Sequence, residues 1–224
     1  VEALRVGLRE LGYVEGKNIG IEWRFGEGKY ERLRGLAAEL VQMKVDLIVA
    51  SNDIGVSVAQ QATATIPIVM VGVSDPVGLK FVASLSRPAG NITGIGNYRG
   101  DFSGKYLAFL LAIVPRLPRV AVLLNPVNPG SAGVLTQIQA AAKTVGVSVS
   151  AFEASTPEQI DAAFGLMARA RAGALIMAGD LSFHTHRNQI AELAAKSRLP
   201  AIYPSLPHVE EGGLMSYGTN DVEM

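Results

Sequence analysis

Short apolar runs in this chain are each followed by a small knot of polar residues, and those knots hold most of its candidate chemistry. Leu47–Ala50 leads into Ser51, Asn52 and Asp53, and Ile68–Val73 leads into Ser74 and Asp75. Val120–Leu124 leads into Asn125 and, past Pro126, Asn128; Ala174–Ala178 leads into Gly179, Asp180 and Ser182; Ala201–Tyr203 leads into Pro204 and Ser205. Hydroxyls, amides and isolated carboxylates of this kind hold a small polar ligand through hydrogen bonds. No nucleophile stands beside a base, so the set points to binding without reaction. Each residue also has a plain structural reading: Ser, Asn and Asp cap helices, and Asn125-Pro126 is an ordinary turn.

Other reactive constellations are weak. His184 and His186 lie two apart, which puts them on different faces of a helix and argues against a shared metal. His208 has no visible partner, so a solvated or capping role is expected. Gly94-x-Gly96 lacks the third glycine of a dinucleotide fingerprint, and no phosphate-binding Gly-x-x-x-x-Gly-Lys-Ser/Thr loop occurs. No cofactor and no metal are expected. Tyr98 and Tyr203 have two readings, stacking on a ligand or plugging the edge of a sheet.

The elements that must position these residues alternate. Helical spacing covers Leu4, Leu8 and Leu11, with Gly12 as a stop, and again Tyr30–Met43. Between them Ile19–Phe25 alternates apolar and polar, as a half-buried strand does. Leu47–Ala50 is a continuous apolar run, expected of a parallel strand covered on both faces. Helix Ile54–Ala64 and strand Ile68–Val73 follow, then a looser stretch to Gly100, where a lobe boundary is placed. Beyond it come helix Phe102–Val114, strand Val120–Leu124, helix Val134–Val145 and strand Val147–Phe152. A helix capped by Thr156 runs to about Arg171, followed by strand Ala174–Ala178, helix Phe183–Lys196 and strand Ala201–Tyr203.

The chain also echoes itself. Asp46-Leu47-Ile48-Val49-Ala50, a helix and Ile66-Pro67-Ile68 match Ala174-Leu175-Ile176-Met177-Ala178, a helix and Leu199-Pro200-Ala201. Gly94-Ile95-Gly96-Asn97-Tyr98 closes the first passage as Gly213-Leu214-Met215-Ser216-Tyr217 closes the second. The pattern predicts an α/β protein of two Rossmann-like lobes, each a doubly wound parallel sheet, with a ligand cleft between them. In open α/β sheets ligands sit beyond the carboxyl ends of strands, where the polar knots lie.

Composition removes several classes. Formal net charge is zero and no basic stripe exists, which argues against nucleic acid as a partner. No apolar run approaches the roughly 20 residues of a membrane span. The absence of cysteine removes disulfides and thiolate chemistry. The opening residues, Val1-Glu2-Ala3-Leu4-Arg5, read as helix rather than as an export leader.

Four ordered motifs carry a family resemblance: Leu11-Gly12-Tyr13-Val14-Glu15-Gly16-Lys17-Asn18, Val71-Gly72-Val73-Ser74-Asp75-Pro76-Val77-Gly78, Leu85 to Gly94, and Glu211 to Gly218. The chain resembles the substrate-binding proteins of ABC transporters of the tryptophan/tyrosine type, with the type I periplasmic binding fold. The resemblance implies lobes at 1–100 and 101–218, with 219–224 starting a return crossing. It also implies a chain truncated at both ends, lacking the family's opening strand and closing elements. By position it puts Ser51, Asn52, Ser74 and Asp75 on one wall of the cleft and Asn125, Asn128, Asp180 and Tyr203 on the other. A ligand carboxylate would lie near Ser51 and Ser74, an ammonium on Asp180 with Asp75 as second choice, and Tyr98 or Tyr203 over the side chain. The implied protein is an extracytoplasmic monomer, periplasmic or membrane-anchored. It binds an amino acid or similar small polar solute and hands it to an ABC transporter permease. Two other readings stay open on sequence: an intracellular ligand-sensing regulator of the same fold, and a doubly wound enzyme using Asp75 or Asp180 as acid or base.

Overall fold

The computed structural model describes residues 2–96 and 102–218. Helix α1 (Glu2–Glu10) is followed, after an extended stretch, by α2 (Tyr30–Gln42). A first sheet then forms from β1 (Ile48–Ser51), β2 (Ile68–Val73) and β3 (Ile92–Gly96), all parallel, with α3 (Asn52–Ala62) crossing from β1 to β2. Ile48, Ala50, Ile68, Met70 and Ile92 turn one face of this sheet onto Val56 and Ala59 of α3.

The second sheet is larger. Helix α4 (Phe102–Ile113) precedes β4 (Arg119–Leu124), α5 (Ser131–Thr144), β5 (Ser148–Glu153), α6 (Pro157–Arg169) and β6 (Ala174–Met177). Two short helices, α7 (Leu181–Thr185) and α8 (Arg187–Lys196), lead to β7 (Ala201–Tyr203), α9 (Pro207–Glu210) and β8 (Met215–Ser216). The strand order is β5-β4-β6-β7-β8, parallel throughout. Alternate residues of β4 and β6 point into two separate cores, one with α4 and α5 and the other with α6, α7 and α8. That is why Val120, Ala121, Val122 and Leu123 are all fully buried. Thr156 caps α6 as its position predicts, its hydroxyl accepting from the Gln159 N–H at 3.3 Å.

The two-lobed parallel α/β class read from sequence is the fold observed, and the internal echo is architectural. In the first lobe β1, β2 and β3 lie in sequence order; in the second, β6, β7 and β8 do the same. The closing tails become β3 and β8, short strands that the glycine-rich texture concealed.

Four local expectations change. Ile19–Phe25 is extended, and Ile19 makes an isolated bridge to Glu15, but no strand pairs with the segment among the described residues. A strand is defined by its neighbour, and alternation shows only the half-buried side chains. Leu47–Ala50 is not covered on both faces: Leu47 and Val49 are 48% and 46% exposed, because the described helices of this lobe pack on the side of Ile48 and Ala50. The single helix expected over Phe183–Lys196 breaks at His186, whose φ −101°, ψ 24° leaves the helical region while its ring Nδ1 sits 2.8 Å from the Ser182 carbonyl. His208 is neither solvated nor a cap: it is 1% exposed and stacks on Tyr203. The lobe boundary near residue 100 and the return crossing at 219–224 fall outside the described residues.

Candidate functional site

The polar cluster at the carboxyl edge of the second sheet is built on Asp180. It follows the buried end of β6, where Met177 and Ala178 fix the chain, and its carboxylate caps α7 by accepting from the Ser182 N–H at 2.9 Å. Asn125 follows the end of β4 and is fully buried. Its Nδ2 donates to Asp180 Oδ1 at 3.0 Å, while its Oδ1 accepts from the Val127 N–H and the Ser155 hydroxyl at 3.0 and 3.1 Å. Asn128 donates from Nδ2 to Asp180 Oδ2 at 3.0 Å and accepts the Gly130 N–H at 2.9 Å. Asn125 and Asn128 after β4 and the sequence-distant Asp180 after β6 thus form one polar group, because parallel β4 and β6 are neighbours and end on the same edge.

The first lobe reaches this group through Tyr30, in the first turn of α2. Its hydroxyl donates to Asp180 Oδ1 at 3.0 Å and accepts from the Ser182 N–H at 3.1 Å. Burial first, then the Asp180 charge and the hydrogen bond to it, hold the Tyr30 hydroxyl well above the ordinary tyrosine range. All the hydrogen bonds described to Asp180 come from neutral donors. Three fall on Oδ1 and one on Oδ2, so Oδ2 has the greater capacity for a further donor.

A second meeting of the lobes lies nearby. Asp53, in the first turn of α3 and 6% exposed, accepts from the Ser74 N–H at 2.8 Å and from the Ser74 hydroxyl at 2.7 Å. The carboxylate therefore ties the end of β2 to the start of α3. Gly130, at the start of α5, faces this pair so closely that a β-carbon there would stand 2.5 Å from Asp53 Oδ2.

The structure brings together Asn125, Asn128 and Asp180, and sets Ser74 across from them beside Gly130. Ser51 and Asn52 lie at the start of α3. Asn52 adopts φ +59° and accepts the Gly55 N–H at 3.0 Å, and Ser51 makes no side-chain cap bond. Asp75 closes the turn after β2 by accepting the Gly78 N–H at 2.8 Å. Two expectations do not survive the geometry. Both Ser74 donors are engaged by Asp53, so Ser74 does not offer them to a carboxylate. Tyr203 is fully buried among Phe183, Ile190 and Ala194, and its ring has no open face for a ligand. Burial without a partner pushes its hydroxyl up to about 12. Tyr98 lies outside the described residues.

Sequence reasoning missed Tyr30 and Gly130, and it placed Asp53 in the polar knot after β1 without choosing it for the site. Tyr30 was findable, since the carboxyl-end rule applied to the alternating segment Ile19–Phe25 leads straight to it. Gly130 carries no such signal.

Two parallel α/β lobes whose strand tips meet across polar side chains define a protein of the type I periplasmic binding fold, a class that binds solutes rather than transforming them. The sequence model of the family described as ABC transporter substrate binding protein matches residues 1–224, and the chain belongs to that family. It is 26% identical over 211 residues to a tyrosine-binding protein of Clostridioides difficile strain R20291. That match covers 94% of this chain and 60% of the relative's length. Its fold matches a conserved domain protein of Vibrio cholerae with a TM-score of 0.89 at 23% identity, over 98% of this chain and 73% of that one. An ABC domain from Streptococcus pneumoniae solved with L-Trp matches at 0.86 and 22%, with the same coverage.

Proposed function

We propose that this chain is the solute-binding component of an ABC transporter. It takes an amino acid or similar small zwitterion between its lobes by hinge closure and delivers it to a membrane permease. In this reading it works as an extracytoplasmic monomer, periplasmic or membrane-anchored. The lobes divide at about residue 100.

The observation that carries the reading is the Asp180 carboxylate. It stands at the meeting of the lobes and, among the described residues, is held by hydrogen bonds from the neutral donors of Tyr30, Asn125, Asn128 and Ser182. A carboxylate held by neutral donors attracts a cation. A ligand ammonium would approach Oδ2. The ligand carboxylate would lie by Ser51 and Asn52 at the start of α3, where the positive end of the helix dipole favours an anion. Asp75 is the reserve partner for the ammonium, and Tyr98 the aromatic cover for the side chain.

A wall with Asp75 and Asp180 disfavours a plain carboxylate. Calorimetry on the intact protein therefore separates the cases, with L-tyrosine, L-tryptophan and benzoate as probes. Amino acids are expected to bind and benzoate is not. Asp180→Asn is expected to weaken amino-acid binding by about 2 kcal/mol or more. Equal affinity for benzoate, or an Asp180→Asn protein that binds normally, would sink the reading.

A further inference from the structure

Tyr30 has a property that ligand binding alone does not explain. Its ring belongs to the first lobe, yet both hydrogen bonds of its hydroxyl go to the second: one donated to Asp180 Oδ1 and one accepted from the Ser182 N–H. The helix that carries it, α2, is anchored in the first lobe through Leu40 and Val41. The residues it touches are anchored through α7, whose Phe183 is fully buried in the second. Moving the lobes apart must break both bonds, and one of them ends on a carboxylate.

We propose that Tyr30, Asp180 and Ser182 form a lobe latch that favours the closed arrangement without any ligand atom taking part. It rests on the reading of the lobes as hinged jaws, and makes Tyr30 a positioning residue rather than a ligand contact. Because both bonds join protein to protein, the latch acts in an empty cleft as well as in a filled one. It shares Asp180 with the proposed ammonium site, so closure and charge recognition converge on one carboxylate. The three donors on Oδ1 preorganise that carboxylate while leaving Oδ2 the freer oxygen.

The structure also supplies a clean variant. In Tyr30→Phe the ring keeps its place and the Ser182 N–H keeps Asp180 Oδ1 as an acceptor at 2.9 Å, so no buried donor is orphaned. The chain contains no cysteine, which makes two introduced thiols unique labelling sites. Gln61→Cys and Lys143→Cys place spin labels on exposed positions near the ends of α3 and α5 distant from the cleft. Interlabel distances are then measured by pulsed electron resonance on the intact protein, purified and dialysed free of small molecules.

The latch requires a short-distance population in the unsubstituted protein. Tyr30→Phe must reduce the closed-to-open ratio by about tenfold or more, as for a hydrogen bond to a charged group. Asp180→Asn, which retains an acceptor but loses the charge, must reduce it to a smaller extent. Circular dichroism melting of each lobe-labelled protein confirms that the fold is intact, and Tyr30→Leu serves should the phenylalanine variant not fold. An unsubstituted protein with no closed population, or a ratio unmoved by Tyr30→Phe, overturns the latch. Neither outcome depends on whether L-tyrosine binds, so the latch and the amino-acid reading fail separately.

Discussion

Gly130 faces Asp53 across the lobes with no room for one more carbon: a β-carbon at 130 would stand 2.5 Å from Asp53 Oδ2 and 3.0 Å from the Ser74 hydroxyl. Asp53 cannot easily turn aside, because both its oxygens are held by Ser74. The backbone at Gly130 is helical, φ −72° and ψ −20°, so the glycine is required by contact between lobes and not by its own conformation.

Gly130→Ala is therefore expected to separate folding from closure. Within the second lobe alanine fits the helix start, and stability should change by no more than about 0.5 kcal/mol. Closing the lobes over the added methyl should cost about 1–3 kcal/mol, as overpacking does. Affinity for L-tyrosine by calorimetry and the radius of gyration by X-ray scattering measure the two effects. A variant that binds as the parent does, with the same radius, would show that this contact is not part of the closed state.

A second expectation concerns acid. His208 is buried, stacks on Tyr203 at 5.3 Å and meets the edge of His184 at 5.7 Å. Its Nδ1 lies 3.1 Å from the Ser205 hydroxyl, and its Nε2 has no partner among the described residues. Burial, opposed in part by the Ser205 carbonyl and helped by the charges of His184 and Arg187, lowers its pKa from 6.5 to about 4. The facing Arg187 is itself paired with Glu211 at 3.1 Å. Between those two values the unfolded chain binds a proton at this histidine that the folded one refuses. Stability must then fall as pH drops from 6.5 to 4, by roughly 3 kcal/mol from this residue, and level off below. Urea unfolding of the parent and His208→Phe at pH 7, 5.5 and 4.5 tests it. The same pH slope in both proteins would remove His208 as the cause.

The paired tails yield a third. Gly94 in β3 adopts φ +138°, and a β-carbon there would fall on the Met70 carbonyl oxygen of β2. Before β8, a β-carbon on Gly213 would stand 2.6 Å from the His208 carbonyl oxygen and from the Tyr203 ring. Alanine at either position should destabilise its own lobe, by about 3 kcal/mol or more, since the obstacle is backbone or a fully buried ring. Hydrogen exchange resolved by segment checks the locality: Gly94→Ala should speed exchange in β1 to β3 and leave β4 to β6 protected. Equal loosening of both lobes would mean that they do not fold as separate units.

Much of the architecture was legible along the chain. The runs at Ile68–Val73 and Ala201–Tyr203 became strands with those bounds, and Thr156-Pro157 started its helix. The echo of Gly94–Tyr98 in Gly213–Tyr217 marked two matching tails but not the strands within them, because glycine interrupts β3 and β8 has only two residues, too few to show a period. Legibility ended where a partner from elsewhere was needed. Ile19–Phe25 alternates without a paired neighbour among the described residues, and Tyr203 ends a strand as Asp180 nearly does, yet one is buried in the core and the other meets Tyr30 of the first lobe.

The alternation of most strands and helices, the parallel class of the sheets and the family of the chain were legible in the sequence alone. They depend on side-chain period and on residues close together in the chain, which any reader of the sequence can measure. Tertiary structure alone decided that Tyr30 meets Asp180 over 150 positions, that Asp53 takes both donors of Ser74, and that Gly130 closes against them. Contacts between lobes are fixed by how two separately packed cores lie against each other, and no local pattern encodes that.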